Sequence, residues 1–138
     1  MKKIFTNSWL AKAVLWAGYH TITIGPFVFS ERRDLEQYII NHECTHARQW
    51  IEATVLSGIV IWLLMLLFNL SAWWMLLSAV AFYLWYGVEW LVKYIILRDE
   101  NKAYKAVSFE REATLAEDDC NYLENSHYFA WIRFVSKK

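Results

Sequence analysis

Residues 53–88 read ATVLSGIVIWLLMLLFNLSAWWMLLSAVAFYLWYGV, and these 36 positions hold no Asp, Glu, Lys or Arg. As one straight helix the run would measure about 54 Å, against a bilayer hydrocarbon core of about 30 Å. Folded once, it supplies two short spans. Asn69 and Ser71 mark the fold point, and Glu52 and Glu89 bracket the run almost symmetrically around it. The rival reading, a soluble helical domain, has to cover every side of this run with a chain of only 138 residues. Smaller chains bury a smaller share of their surface, so the membrane hairpin is preferred, over about 53–97.

The flanks agree with a hairpin. Arg32, Arg33 and Arg48 precede the run, Lys93, Arg98, Lys102 and Lys105 follow it, and the connecting loop has no basic residue. By the positive-inside rule both flanks face the cytoplasm. Trp50, Trp85, Tyr86 and Trp90 are expected at the inner interface, Trp73 and Trp74 at the outer one. Glu89 and Lys93, four apart, are expected to pair on one helix face.

Composition narrows the class further. Fourteen Lys and Arg balance fourteen Asp and Glu, which argues against a nucleic-acid binder. Apolar residues make up 57%, and a single Pro with four Gly leaves little material for an all-β fold. Two cysteines, Cys44 and Cys120, form no CxxC pair and no disulfide framework. Asn7, Ser8 and Lys12 interrupt any apolar run near the N-terminus, so no cleavable signal peptide is expected there.

Residues 1–138 read as one domain, mainly α: a helical transmembrane hairpin, a short N-terminal β segment and a C-terminal amphipathic region. After an apolar lead-in, residues 21–29 are β-branched and aromatic around Gly25-Pro26, an extended segment with a bend or a two-strand edge. Residues 34–68 form one long helix that begins in water, and 72–100 return across the membrane. In the last third, Ser108 is the expected N-cap of a helix running to about Asn125. Phe129, Trp131, Ile132, Phe134 and Val135 form an aromatic tail along the membrane surface.

The chemistry sits at residues 42–46, His42-Glu43-Cys44-Thr45-His46. On a helix, positions four apart share a face, so both imidazoles reach one metal ion. Imidazole nitrogen suits Zn²⁺, and Glu43 between them can act as general base on a zinc-activated water. With four His and ten Glu in the chain, chance supplies roughly 0.01 such pentapeptides. The third ligand has to lie on the same side of the membrane, and two crossings return the C-terminal third to that side. Glu110 and Glu112 are the candidates. They point about 200° apart on a helix, so only one can face the metal.

HECTH followed, after a membrane hairpin, by a Glu-x-Glu-Ala helix resembles the gluzincin metallopeptidases, especially integral-membrane members with cytosolic-side active sites. The chain is also similar to small bacterial membrane proteins carrying HExxH, then Arg-Gln, then Phe-Glu-Arg-Glu-Ala. The matching positions are His42 to His46, Arg48-Gln49 and Phe109 to Ala113. The resemblance implies Glu110 as the zinc ligand beside His42 and His46. The pattern's Asp falls at position 114, where this chain has Thr114.

The expectation is a zinc-dependent metallopeptidase in a bacterial inner membrane, with active site and both termini cytoplasmic. Its partners are the bilayer and a peptide or membrane-protein substrate, with a homo-oligomer or accessory protein completing the cleft. The 21–29 edge could receive an extended peptide through main-chain hydrogen bonds. His20, His127, Tyr122 and Tyr128 are candidates for oxyanion stabilisation, and Arg48 for a carboxylate or lipid phosphate. Two rivals stand beside this reading. One is a structural or sensory zinc site closed by Cys44 or Cys120, the other a metal-free membrane interaction module.

Overall fold

The computed structural model describes residues 4–9 and 20–136, so most of the apolar lead-in, Lys12 included, lies outside the described residues. Three short strands come first: β1 (Ile4–Phe5), β2 (Thr21–Ile24) and β3 (Phe27–Ser30). Helix α1 (Gln37–Phe68) and helix α2 (Leu76–Leu97) follow, joined through a 3-10 turn (Ala72–Met75). The chain closes with α3 (Glu100–Ala106), α4 (Ser108–Glu117), α5 (Tyr122–Asn125) and α6 (Ile132–Val135).

Asn69 breaks the apolar run. It caps α1 in the left-handed conformation (φ 52°), its N–H bonded to the Met65 carbonyl. Asn tolerates that conformation better than the branched residues around it. Two helical stretches, Gln37–Phe68 and Ala72–Leu97, are each long and apolar enough to cross a membrane. Only 6% and 17% of their apolar windows is buried, so the chain itself leaves these surfaces uncovered. The two helices approach closely where Gly58 faces Ser78; a Cβ on Gly58 would stand 3.7 Å from the Ser78 Cβ.

The β segment is larger than a bend or a two-strand edge. The sheet has the order β1-β3-β2, with β2 antiparallel and β1 parallel to β3. Gly25 takes φ +60° at the first turn position, where a type II′ hairpin favours Gly, and Pro26 occupies the second. The Trp50 ring packs 3.7 Å from where a Gly25 Cβ would lie, and the Gly25 N–H donates to the Tyr83 hydroxyl at 2.7 Å. The hairpin tip is thereby tied to both long helices.

The C-terminal third differs from its expected form in three ways. Val107 rather than Ser108 precedes α4, and buried Ser108 is its first helical residue. The Ser108 N–H and Oγ donate to the Glu89 carboxylate at 2.9 and 2.6 Å, so Glu89 serves the start of α4 instead of pairing with Lys93. Second, α4 stops at Glu117, because Asp119 Oδ1 accepts from the Asn121 N–H at 2.8 Å and turns the chain. Third, the aromatic tail folds inward. Trp131 packs on Phe109 (ring centroids 4.6 Å apart), and Glu52 accepts from the Phe129 N–H and Trp131 Nε1. Burying Trp131 and Phe134 against α4 removes more apolar surface from water than an interfacial position offers.

The two glutamates that bracket the run thus anchor the C-terminal third to both long helices. Glu89→Ala should leave the buried Ser108 N–H unsatisfied and lower stability by about 2–3 kcal/mol, whereas Lys93→Ala should change it by less than about 0.5 kcal/mol. Denaturation in detergent measures both.

Candidate metal centre

The first half of α1 carries the motif, and α4 packs across it. His42 and His46 project from one face of α1, and their rings meet edge to face with centroids 4.7 Å apart. Glu110, in the first turn of α4, enters from the facing side. His46 Nε2 lies 3.1 Å from His42 Nε2 and 3.2 Å from Glu110 Oε1, and His42 Nε2 lies 3.4 Å from Glu110 Oε2. One carboxylate oxygen thus faces each imidazole, and one ligand atom from each of the three residues lies within 4.8 Å of the others, close enough to hold a single metal ion.

The other imidazole nitrogens decide which atoms face that centre. Gln49 is wholly buried, and its amide nitrogen donates to the Phe109 carbonyl (3.1 Å) and to Glu112 Oε2 (2.9 Å). Its oxygen must therefore be the atom 2.9 Å from His46 Nδ1, and can only accept there. Nδ1 thus carries the hydrogen, and Nε2 turns a lone pair toward His42 and Glu110. His42 repeats the arrangement, with Nδ1 2.9 Å from Glu117 Oε1. Fixing the outer nitrogen in this way is the usual support of a metal-binding histidine.

Two imidazole lone pairs and a carboxylate therefore point at one another. Such a set repels itself unless a cation or a proton lies between. Where protons on the two Nε2 atoms take the place of a cation, burial pushes the Glu110 carboxyl up, but hydrogen bonds from His42 and His46 and their charge outweigh it and hold Glu110 well below the usual carboxylate range. Protons and a metal ion compete for the same lone pairs, so metal affinity falls as pH is lowered. Tyr86 donates to Glu110 Oε1 at 2.8 Å. Burial and the Glu110 charge push the neighbouring Tyr104 hydroxyl up, which keeps it protonated and able to donate.

These groups line a cleft of about 340 Å³, whose walls also include Thr21, Ile22 and Thr23 of β2, Glu43, Tyr83 and Gly87. The Thr23 hydroxyl donates to Glu43 Oε2 at 2.6 Å and leaves the second oxygen of that carboxylate for other partners.

Glu112 lies on the opposite side of α4. Fully buried, it accepts from Arg48 at 2.8 Å, from Gln49, and from Tyr122 at 3.3 Å. This ties half-buried Tyr122 and Arg48 to the far side of α4, Arg48 also lying 3.4 Å from Glu52. His20 is exposed beside Glu31, and neither His127 nor Tyr128, both exposed, lines the cleft. Among the described residues the metal-binding group is His42, His46 and Glu110, without buried Cys44 or exposed Cys120.

Several participants carry no role at the site in the sequence reading. Glu117 stands seven residues after Glu110, two turns along the same face of α4, so periodicity alone points to it. Thr114, where the resemblance expects a carboxylate, is exposed; Glu117 is the residue that reaches His42. Gln49 follows His46 by three and shares its face. Tyr86 gives no local signal, lying within the apolar run as an aromatic like those of the interface belts.

No family model matches this chain, and no curated protein or solved structure matches it either.

Supplied with zinc in detergent, the protein should bind about one ion per chain, and His46→Ala and Glu110→Ala should each abolish binding, as read by metal analysis. Glu112→Gln should keep the ion with affinity weakened about 10–100-fold, since Glu112 acts through Gln49. Loss of zinc from Glu112→Gln beside full loading of Glu110→Ala would reverse the assignment.

Proposed function

We propose that the protein is a membrane-embedded zinc metallopeptidase that hydrolyses a peptide bond near the cytoplasmic membrane face. One observation carries this reading: two imidazoles and a carboxylate converge with ligand atoms within 4.8 Å of one another, and a second carboxylate, Glu43, stands on the wall of the same cleft. Three protein ligands and an open fourth position characterise catalytic zinc sites, whereas structural sites are closed by a fourth protein ligand. Neither cysteine belongs to the group, which disfavours the structural rival.

A zinc ion supplies Lewis-acid polarisation of a carbonyl and acidifies a water toward neutrality. The chain's own residues do the rest. Glu43, steadied at one oxygen by Thr23, takes the proton from the attacking water at its other oxygen and passes it to the departing amine. Tyr86 and Glu117 hold Glu110 and His42 in place.

The substrate's path is set by β2, an edge strand among the described residues. The two-residue turn makes Ile24 and Phe27 a hydrogen-bonded pair, and the alternation then turns the N–H and C=O groups of Thr21 and Thr23 away from β3. An extended peptide pairing with that edge lies along the cleft.

The bilayer fixes depth. Counted from Ala72, Phe82 stands about 15 Å along the second span, at the middle of a hydrocarbon layer about 30 Å thick, and Tyr86 about 21 Å along, in its inner half. Arg and Lys on both flanks orient that half toward the cytoplasm. Substrates are therefore peptide segments that enter or leave the membrane on that side.

Glu43→Gln should retain zinc and lower turnover of a fluorogenic peptide library by at least about 10²-fold. Zinc retained together with undiminished hydrolysis would eliminate the mechanism.

A further inference from the structure

Among the described residues, Gly25 and Gly58 each have a local reason to be glycine. Gly25 takes φ +60°, which costs glycine nothing. Gly58 sits in the contact between the two long helices, where a Cβ would meet the Ser78 Cβ at 3.7 Å. Gly87 has neither reason. Its φ is not positive, and a Cβ built on it would meet no atom within 4 Å. Inside a helix glycine is less favourable than alanine, because its backbone loses more freedom on folding. Neither backbone nor packing calls for it, and what its missing side chain leaves is space.

That space adjoins the metal centre. Gly87 is part of the wall of the 340 Å³ cleft, next in the chain to Tyr86, whose hydroxyl donates to Glu110. Tyr83, one turn earlier on the same face of α2, accepts the Gly25 N–H at 2.7 Å and so joins α2 to the hairpin tip. The wall is closed at Tyr83 by that bond, and one turn further on it carries no side chain at all.

The chemistry of the cleft says what fills such a gap. Ile22, Phe82 and Tyr83 give it apolar surface, and no Lys or Arg lines it among the described residues. Its carboxylates are engaged, Glu110 by both histidines and Tyr86, and Glu43 by Thr23 at one oxygen. Counted from Ala72, Gly87 stands about 22 Å along the second span, still within a hydrocarbon layer of about 30 Å, where a charged side chain is costly.

We propose that Gly87 is a specificity-determining residue of the cleft, its missing side chain leaving room for one large apolar side chain of the bound peptide. The proposal rests on the peptidase reading above and names its substrate class: peptides with a bulky apolar residue near the cleaved bond.

The test uses the zinc-loaded full chain in detergent, with a blocked alanine peptide and variants carrying a single Phe or a single Lys at each position in turn. Hydrolysis is followed with the native catalytic residues. Binding is followed separately on a Glu43→Gln background by fluorescence anisotropy of labelled peptides, which needs no turnover. One Phe peptide should be preferred over the alanine and Lys peptides in both assays. Gly87→Leu should lower the Phe-to-Ala ratio of kcat/KM, and of affinity, by at least about 10-fold, since bulk in an apolar pocket discriminates on that scale. Val88→Phe, which adds bulk at an exposed neighbour outside the cleft, should leave the ratio unchanged, and zinc content checks that each variant is folded.

Hydrolysis whose preference survives Gly87→Leu, or falls equally in Val88→Phe, overturns the role of Gly87 and leaves the peptidase reading standing. Preference for the alanine or a Lys peptide in the unsubstituted cleft overturns it as well. Selective binding of a Phe peptide that Gly87→Leu removes, without hydrolysis by any form, supports the pocket and defeats the peptidase reading. Neither binding nor hydrolysis of any peptide overturns both.

Discussion

The amide of Gln49 lies wholly buried between α1 and α4 with both of its hydrogens committed, to the Phe109 carbonyl and to the Glu112 carboxylate. Because that pairing is unique, it sets the register of α4 on α1 and the tautomer of His46 together. Any slip of α4 would leave a buried amide, a carboxylate and the Arg48 guanidinium unpaired, at a cost of several kcal/mol. The position of Glu110 opposite the histidines follows from this constraint. The site's geometry is held by buried polar bonds on its far side, away from the cleft.

The same logic extends to the rest of the C-terminal third. Glu52 and Glu89 stand at the ends of an apolar run that offers no other charge, and each reaches into the C-terminal third. One gathers Phe129 and Trp131, the other caps the start of α4. The long helices act as a frame, and the short helices hang from it by carboxylate hydrogen bonds. Fully buried Ala103, Ala113 and Ala116 let these short elements pack closely.

Legibility in the sequence tracked the range of the interaction. The Asn69 fold point, the two spans and the shared face of His42 and His46 rest on local periodicity and charge, and each is present in the fold. The aromatic tail was misplaced because an interfacial and a core aromatic have the same composition; what distinguishes Trp131 is Glu52, 79 residues away. Tyr86 was placed in an interface belt for the same reason, although its hydroxyl reaches Glu110. Ser108 reads as a cap from its residue type, yet a carboxylate on α2 claims its donors.

Sequence alone determined that the chain has two apolar stretches long enough to cross a membrane, that two imidazoles share a helix face, and that only one of Glu110 and Glu112 can join them. Those conclusions need only helical geometry and the exclusion of charge from hydrocarbon. Which glutamate joins was a matter for the tertiary structure. The choice depends on how α4 crosses α1, and contacts spanning 60 or more residues set that crossing: Gln49 to Phe109, Arg48 to Glu112, and His42 to Glu117. No local pattern encodes such a crossing, because it is the joint solution that satisfies all of these buried groups at once.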